Sequence, residues 1–132
     1  MNGGGKVLLR VWDVTFTVSD LRRSIDYYEN VLGLAKKYEF ETYAGFDCGG
    51  VEIGLVPGRT SKVHSEEPCV DFLVRDLDEA YGVLRARGVR FVKEPHGTQW
   101  GGRIALFTDP DGHLLQLVQI NWSEYFAACA PK

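Results

Sequence analysis

Three carboxylates sit where strand alternation turns them away from a core: Asp13 in DVTFTV, Glu52 in VEIGLV and Asp71 in CVDFLV. Their apolar neighbours occupy alternate positions, so those side chains take one face of each strand and the carboxylates take the other. Brought into one cavity, three carboxylates resist ionising together. They need a cation, a proton or open water. The chemistry on offer is a pocket for a cationic or hydrogen-bond-donating ligand; the plain alternative is a wide solvated groove. Trp100 lies between Gly97 and Gly101-Gly102, in a loop able to close over a pocket and stack an aromatic ring on a ligand. The same ring would serve equally to seal a domain edge or a dimer interface. Arg103 opens a strand, where it pairs with a carboxylate, binds an anionic ligand group or stands in solvent. The stretch from Asp109 to Gly112, DPDG, reads as turn chemistry and is assigned no catalytic role.

The elements that must position these residues occur twice. DVTFTVSDLRRSIDYYENVLG (13–33) is matched by CVDFLVRDLDEAYGVLRARG (69–88). Asp20 pairs with Asp76, Phe16 with Phe72, Val18 with Val74 and Leu21 with Leu77, all at an offset of 56 residues. Such a repeat marks a duplicated supersecondary unit that cannot bury its apolar face alone. The first copy spans 7–56, a linker 57–68, the second copy 69–120, and a tail 121–132, all within a single domain of 132 residues. Alternation predicts a first strand over about 8–18, after a flexible lead at 1–5. Ser19 or Asp20 caps a helix whose buried stripe is Leu21, Ile25, Tyr28 and Leu32, and which ends at Gly33. Strands follow at 36–41, 43–48 and 51–56, the last two joined through Gly49-Gly50. In the second copy a strand at 69–74 leads to a helix with a capping box of Asp76 and Glu79 and a stripe of Leu77, Ala80, Tyr81 and Leu84. Strands at 90–93, 103–108 and 114–120 complete it. The tail places Trp122, Tyr125 and Phe126 at helical spacing, too apolar to sit together in water. The fold class is therefore α+β: two βαβββ modules, helices outside, the free sheet faces forming a cleft.

Composition narrows the class. With 15 Lys+Arg against 18 Asp+Glu the net charge is -3, which gives no basic face for nucleic acid. No apolar run approaches the roughly 20 residues of a membrane span, and the start MNGGGKVLLR has neither an apolar signal core nor a cleavage site, so the expected location is cytoplasmic. Cys48, Cys69 and Cys129 are odd in number and widely spaced, which reads as reduced thiols rather than a disulfide framework.

Three motifs in order, VSDLRRSIDYYENVLG, VRDLDEAYGVLRARGV and WGGRIALFTDPDGHLLQLVQ, make the chain resemble the vicinal oxygen chelate superfamily over about 11–119. That superfamily includes glyoxalase I, extradiol dioxygenases, bleomycin- and fosfomycin-resistance proteins and methylmalonyl-CoA epimerase. The resemblance implies sheets curled around a cleft, a small-molecule ligand and a homodimer. It further implies that metal ligands of the metal-dependent members map onto Asp13, Glu52, Cys69 and Gln116. The family commonly has histidine at the first and third of these positions. Here the three histidines, His64, His96 and His113, fall in the linker, a loop and a turn. Asp13, Glu52 and Gln116 are oxygen donors suited to a hard cation such as Mg²⁺, Mn²⁺ or Ca²⁺, whereas the thiol of Cys69 is a soft donor. The expected cofactor is none, or at most a weakly bound divalent cation. The expected function is small-molecule binding in an acidic, aromatic-flanked cleft without a transition metal, with Asp13, Glu52, Cys69, Asp71, Trp100, Arg103 and Gln116 around the ligand. The alternative is a metal-dependent glyoxalase-like lyase or isomerase, or an extradiol-type dioxygenase, with a divergent ligand set; Glu52 is then the leading catalytic candidate.

Overall fold

The computed structural model describes residues 7–59 and 68–129; the expected lead at 1–5, most of the linker and the side chain of Cys129 lie outside them. Two compact units are present, divided near residue 60. The first holds β1 (Asp13–Val18), α1 (Leu21–Asp26), a π-helical turn (Tyr27–Val31), β2 (Ala35–Phe40), β3 (Tyr43–Cys48) and β4 (Val51–Pro57). The second holds β5 (Val70–Leu73), α2 (Leu77–Ala86), β6 (Arg90–Gly97), β7 (Gly102–Thr108), β8 (Leu114–Ile120) and α3 (Trp122–Cys129).

Each unit builds one mixed four-stranded sheet, ordered β1-β4-β3-β2 in the first and β5-β8-β7-β6 in the second. The first strand of each runs parallel to the last, and the other pairs are antiparallel. A parallel pair needs a long connection, which the helix and the intervening hairpin supply. The fold is α+β, built twice from a βαβββ unit.

Alternation on β1 places Phe16 and Val18 in the core and exposes Asp13, Thr15 and Thr17. The strand is shorter than the sequence predicts. Val7, Leu8, Leu9, Val11 and Trp12 carry large apolar side chains yet stand exposed, and the β4 ladder extends past Asp13 only through the amide of Glu52, which donates to Trp12 O. Apolar, strand-favouring residues alone do not make a strand where no neighbour offers hydrogen bonds.

Asp20 caps α1 by accepting from the Arg23 amide at 3.0 Å. Ile25 and Tyr28 are fully buried, while Leu21 and Leu32 are half-buried at the ends of the stripe. The last turn widens into the π form, with the Leu32 amide reaching Tyr27 O, and ends at Gly33 with φ 80°. In α2 the Asp76 carboxylate accepts from the Glu79 amide at 3.1 Å. Only Leu77 of its stripe is fully buried; Tyr81 packs edge-on against Phe91 at 4.6 Å, and Phe91 in turn meets Phe107. β6 runs four residues beyond its predicted end at Lys93, at the expense of two register irregularities.

Candidate functional site

The open face of the first sheet, opposite α1, is built around Glu52. Register places Glu52 beside Asp13 on β1 and Asp47 on β3, and the next row across the same face is Thr15, Gly54, Gly45 and Tyr38. Glu52 keeps only 4% of its surface exposed, so its charge must be met by protein donors. Three meet it. Tyr38 Oη donates to Oε1 at 2.6 Å, Lys37 Nζ donates to the same oxygen at 2.9 Å, and Tyr43 Oη donates to Oε2. Tyr38, then Tyr43, then Lys37 stabilise the charged form and hold the Glu52 pKa down to about 2.

Neighbours in a strand point to opposite faces, yet Lys37 and Tyr38 bind the same carboxylate. A bulge makes this possible. The ladder steps from Lys36–Phe46 to Tyr38–Gly45, leaving Lys37 as the extra residue on β2. Two glycines make room for the rings. A Cβ on Gly45 would stand 3.0 Å from both Tyr38 Cζ and Glu52 Cδ, and one on Gly54 would stand 2.8 Å from Tyr43 Cζ. The rings of Tyr38 and Tyr43 stack with centroids 5.9 Å apart, and Phe40 extends the aromatic row to the strand end. Lys37 also lies 5.8 Å over the Trp12 ring.

The protonation of the cluster follows from these contacts. The hydrogen bond to Glu52 raises the pKa of Tyr38, and burial followed by the same carboxylate raises that of Tyr43. The hydrogen bond to Glu52 also raises Lys37. All three stay protonated near neutral pH, and Glu52 stays charged. A carboxylate held so far below neutral pH is a weak base. The cluster is a fixed, charge-compensated platform.

On the second sheet, Asp71 lies beside Gln116, and Gln116 Nε2 donates to Asp71 Oδ1 at 3.1 Å. Burial raises the Asp71 pKa, with the Gln116 hydrogen bond opposing it. Cys69 is exposed and turns its Sγ back to Leu114 O at 3.3 Å; burial of the sulfur raises its pKa, so the thiol is favoured over the thiolate. The ladder sets Glu52 opposite Asp13 in the first sheet and Gln116 opposite Asp71, two residues beyond Cys69, in the second.

The two remaining candidates sit elsewhere. Arg103 makes a two-pronged salt bridge to Asp78 of α2, at 2.9 and 3.1 Å, which puts it on the helix-covered face, opposite to Gln116. Trp100 folds over Gly102 and meets Tyr125 of α3 edge-on at 6.4 Å. Trp122, Tyr125 and Phe126 continue that aromatic cluster.

The residues of the first sheet do not fit a divalent cation. Both Glu52 oxygens already accept hydrogen bonds, and an ammonium stands where a cation would approach. Within either unit, the described residues bring no three His, Cys, Asp or Glu side chains together as a ligand group. Sequence reading located Glu52 and its side of β4 but missed Lys37, Tyr38 and Tyr43. The signal available was a pair of glycines, Gly45 and Gly54, inside strands otherwise rich in large residues, which marks a close approach.

Known proteins agree with this architecture. The chain is 29% identical over 128 residues to the uncharacterized protein YraH of Bacillus subtilis, covering 85% of this chain and 99% of YraH. It is 28% identical over 109 residues to the metallothiol transferase FosB of Staphylococcus haemolyticus, covering 79% and 78%. A crystal structure of a glyoxalase/bleomycin resistance protein/dioxygenase superfamily member from Sphaerobacter thermophilus superposes with a TM-score of 0.71 at 29% identity, covering 86% of this chain and 99% of that one. The family model for the Glyoxalase/Bleomycin resistance protein/Dioxygenase superfamily matches residues 11–117, and the chain belongs to that superfamily.

Proposed function

We propose that this protein binds a small molecule on the acidic, aromatic open faces of its sheets and does so without a transition metal, in the cytoplasm and as a homodimer. One observation carries the reading: the buried carboxylate of Glu52 is already saturated by Lys37, Tyr38 and Tyr43. With its hydroxyls and ammonium committed, the cluster offers a rigid aromatic surface edged by the exposed carboxylates of Asp13 and Asp47. That surface suits recognition better than proton transfer. On this reading the second unit offers its own hydrogen-bonding groups in Asp71 and Gln116 on its open sheet face, and carries Cys69 and Trp100 as further ligand contacts. Arg103 acts only indirectly, by holding α2 to the sheet through Asp78.

The test is metal analysis of protein purified without added metal and dialysed against a chelator. The expected result is less than one equivalent of any transition metal. Stoichiometric retention would overturn the reading and put the metal-dependent lyase, isomerase or dioxygenase alternative first. Similarity to the metallothiol transferase FosB is what favours that second reading.

A further inference from the structure

Glu52, Glu39 and Asp78 each have a cation beside them: Lys37, then Arg22 with Lys36, then Arg103. Asp71 has none among the described residues. Its polar partner is the Gln116 amide, whose Nε2 donates to Oδ1 at 3.1 Å. Burial raises the Asp71 pKa and only that hydrogen bond opposes the rise, so no neighbouring positive charge offsets the burial. Register shows why. Asp71, Gln116, Leu106 and Lys93 form one row across the open face of the second sheet. Lys93, the cation of that row, is three strand spacings away, about 14 Å. The adjoining row, Leu73, Val118 and Ile104, is apolar, and Leu106 and Val118 are buried. Gln116 is itself only 8% exposed. With Nε2 committed to Asp71, its Oε1 accepts from nothing among the described residues, yet no buried side-chain oxygen there lacks a partner. Oε1 therefore opens at the surface of that face, as does the second oxygen of exposed Asp71.

We infer that Asp71 and Gln116 form a seat for a planar organic cation, an amidinium or guanidinium group carried on a flat apolar body. The inference rests on the small-molecule reading above and names the ligand class that the second sheet takes. Two oxygens, one charged and one neutral, stand on neighbouring strands with acceptor capacity to spare. An amidinium carries N–H donors on two nitrogens in one plane and can meet both. Its charge is delocalised and weakly hydrated, so it sheds water onto a partly apolar face more readily than a compact ammonium does. The positive group supplies the counter-charge that Asp71 lacks. The apolar body lies over Leu106, Leu114 and Val118. An anion finds the opposite conditions, a carboxylate with no cation in reach.

The experiment is titration of isotope-labelled protein with benzamidine, followed by backbone amide chemical shifts, with benzoate as the comparison of matching shape. Native protein is expected to bind benzamidine saturably at millimolar concentration, with the shifts centred on Asp71 and Gln116, and to leave benzoate unbound. Asp71→Asn keeps the shape but removes the charge. It should weaken benzamidine at least ~10-fold, the size of one charge-assisted hydrogen bond. Gln116→Met keeps the length, loses both polar atoms and should weaken binding about 3-fold. Glu41→Gln removes an exposed charge on the β2–β3 turn and should change nothing, which separates the seat from a general effect of net charge. Circular dichroism checks each fold, and the comparison of benzamidine with benzoate on native protein stands if a variant fails to fold. No saturable benzamidine binding by native protein, equal binding of benzoate, or undiminished binding by folded Asp71→Asn overturns the assignment. Stoichiometric transition metal on native protein instead overturns the metal-free reading itself, so the two failures are distinct.

Discussion

A buried carboxylate is tolerated when each oxygen accepts hydrogen bonds and its charge is balanced nearby, and Glu52 meets both conditions through three side chains. Tyr43→Phe leaves Oε2 without its donor while the ring still fills the space over Gly54. The expected loss is about 1–2 kcal/mol of unfolding free energy, measured by urea denaturation, since hydrogen bonds to charged groups are the stronger kind. An unchanged midpoint would show that the hydroxyl is replaceable by water. The pH dependence follows from the same contacts. The folded pKa of Glu52, about 2, lies below its ordinary value of 4.5. The unfolded chain therefore takes up the proton first, so the stabilisation is fully present above about pH 4.5 and is lost as pH falls through about 2. The stability gap between native protein and Glu52→Gln should stay constant from pH 8 to 5 and close between those two values; a gap that persists at pH 2 would mean the charge contributes nothing. From the sequence, VEIGL fixed the side of β4 that Glu52 takes, because alternation is local. Its donors were not legible. Lys37 reaches it only through a bulge, and Tyr43 only along an adjacent strand.

Element by element, the sequence was most legible where one residue type has one physical use. Asp76 was readable as a helix cap, and Ser19 or Asp20 as the other, because a short polar side chain on an extended residue can take the third amide; Asp20 and Asp76 do so. Asp76→Ala should cost about 1 kcal/mol and lower the thermal midpoint, with α2 the first helix to lose hydrogen-exchange protection. The Gly49-Gly50 turn was readable for a similar reason: both residues adopt positive φ, 61° and 91°, which side chains disfavour. Less legible was the role of Gly54, an ordinary φ in mid-strand whose missing side chain makes space for another strand's tyrosine. Gly54→Ala would set a methyl group 3.0 Å from Thr15 Oγ1 and closer still to Tyr43. Overpacking of this kind costs typically 1–3 kcal/mol. It should also lift Tyr43 off Glu52, so the variant is expected to lose the acid-limb behaviour of the native protein together with stability. A fall in stability with that limb intact would place the strain at Thr15 instead. Strand limits were less certain for a related reason. Val7 to Trp12 are rich in the apolar residues that strands favour, but a ladder depends on a partner that local pattern does not reveal.

At the scale of the whole molecule, the offset of 56 residues was enough to foresee two βαβββ units, and both sheets have the same strand order. Duplication of a backbone does not duplicate its chemistry. The first unit places Glu52 opposite Asp13, while the second places Gln116 opposite Asp71. What neither repeat accounts for is the apolar surface left on the units. Trp122 and Phe126 on α3 stack 5.9 Å apart while 51% and 63% exposed, and Trp12 and Leu9 stand exposed on the other unit. Aromatic side chains gathered in this way are costly in water and are characteristic of association surfaces. A closed homodimer covers such a patch with its own copy, since a two-fold axis brings identical surfaces together. Sedimentation equilibrium at micromolar concentration should accordingly find a species of twice the 14.8 kDa chain mass. Replacing Trp122 and Phe126 together by Ser should shift it to monomer while the far-ultraviolet spectrum stays native, because neither ring belongs to the buried core. If native protein sediments only at 14.8 kDa, the aromatic cluster of α3 covers no second copy, and closing Trp100 against Tyr125 within one chain is its whole role.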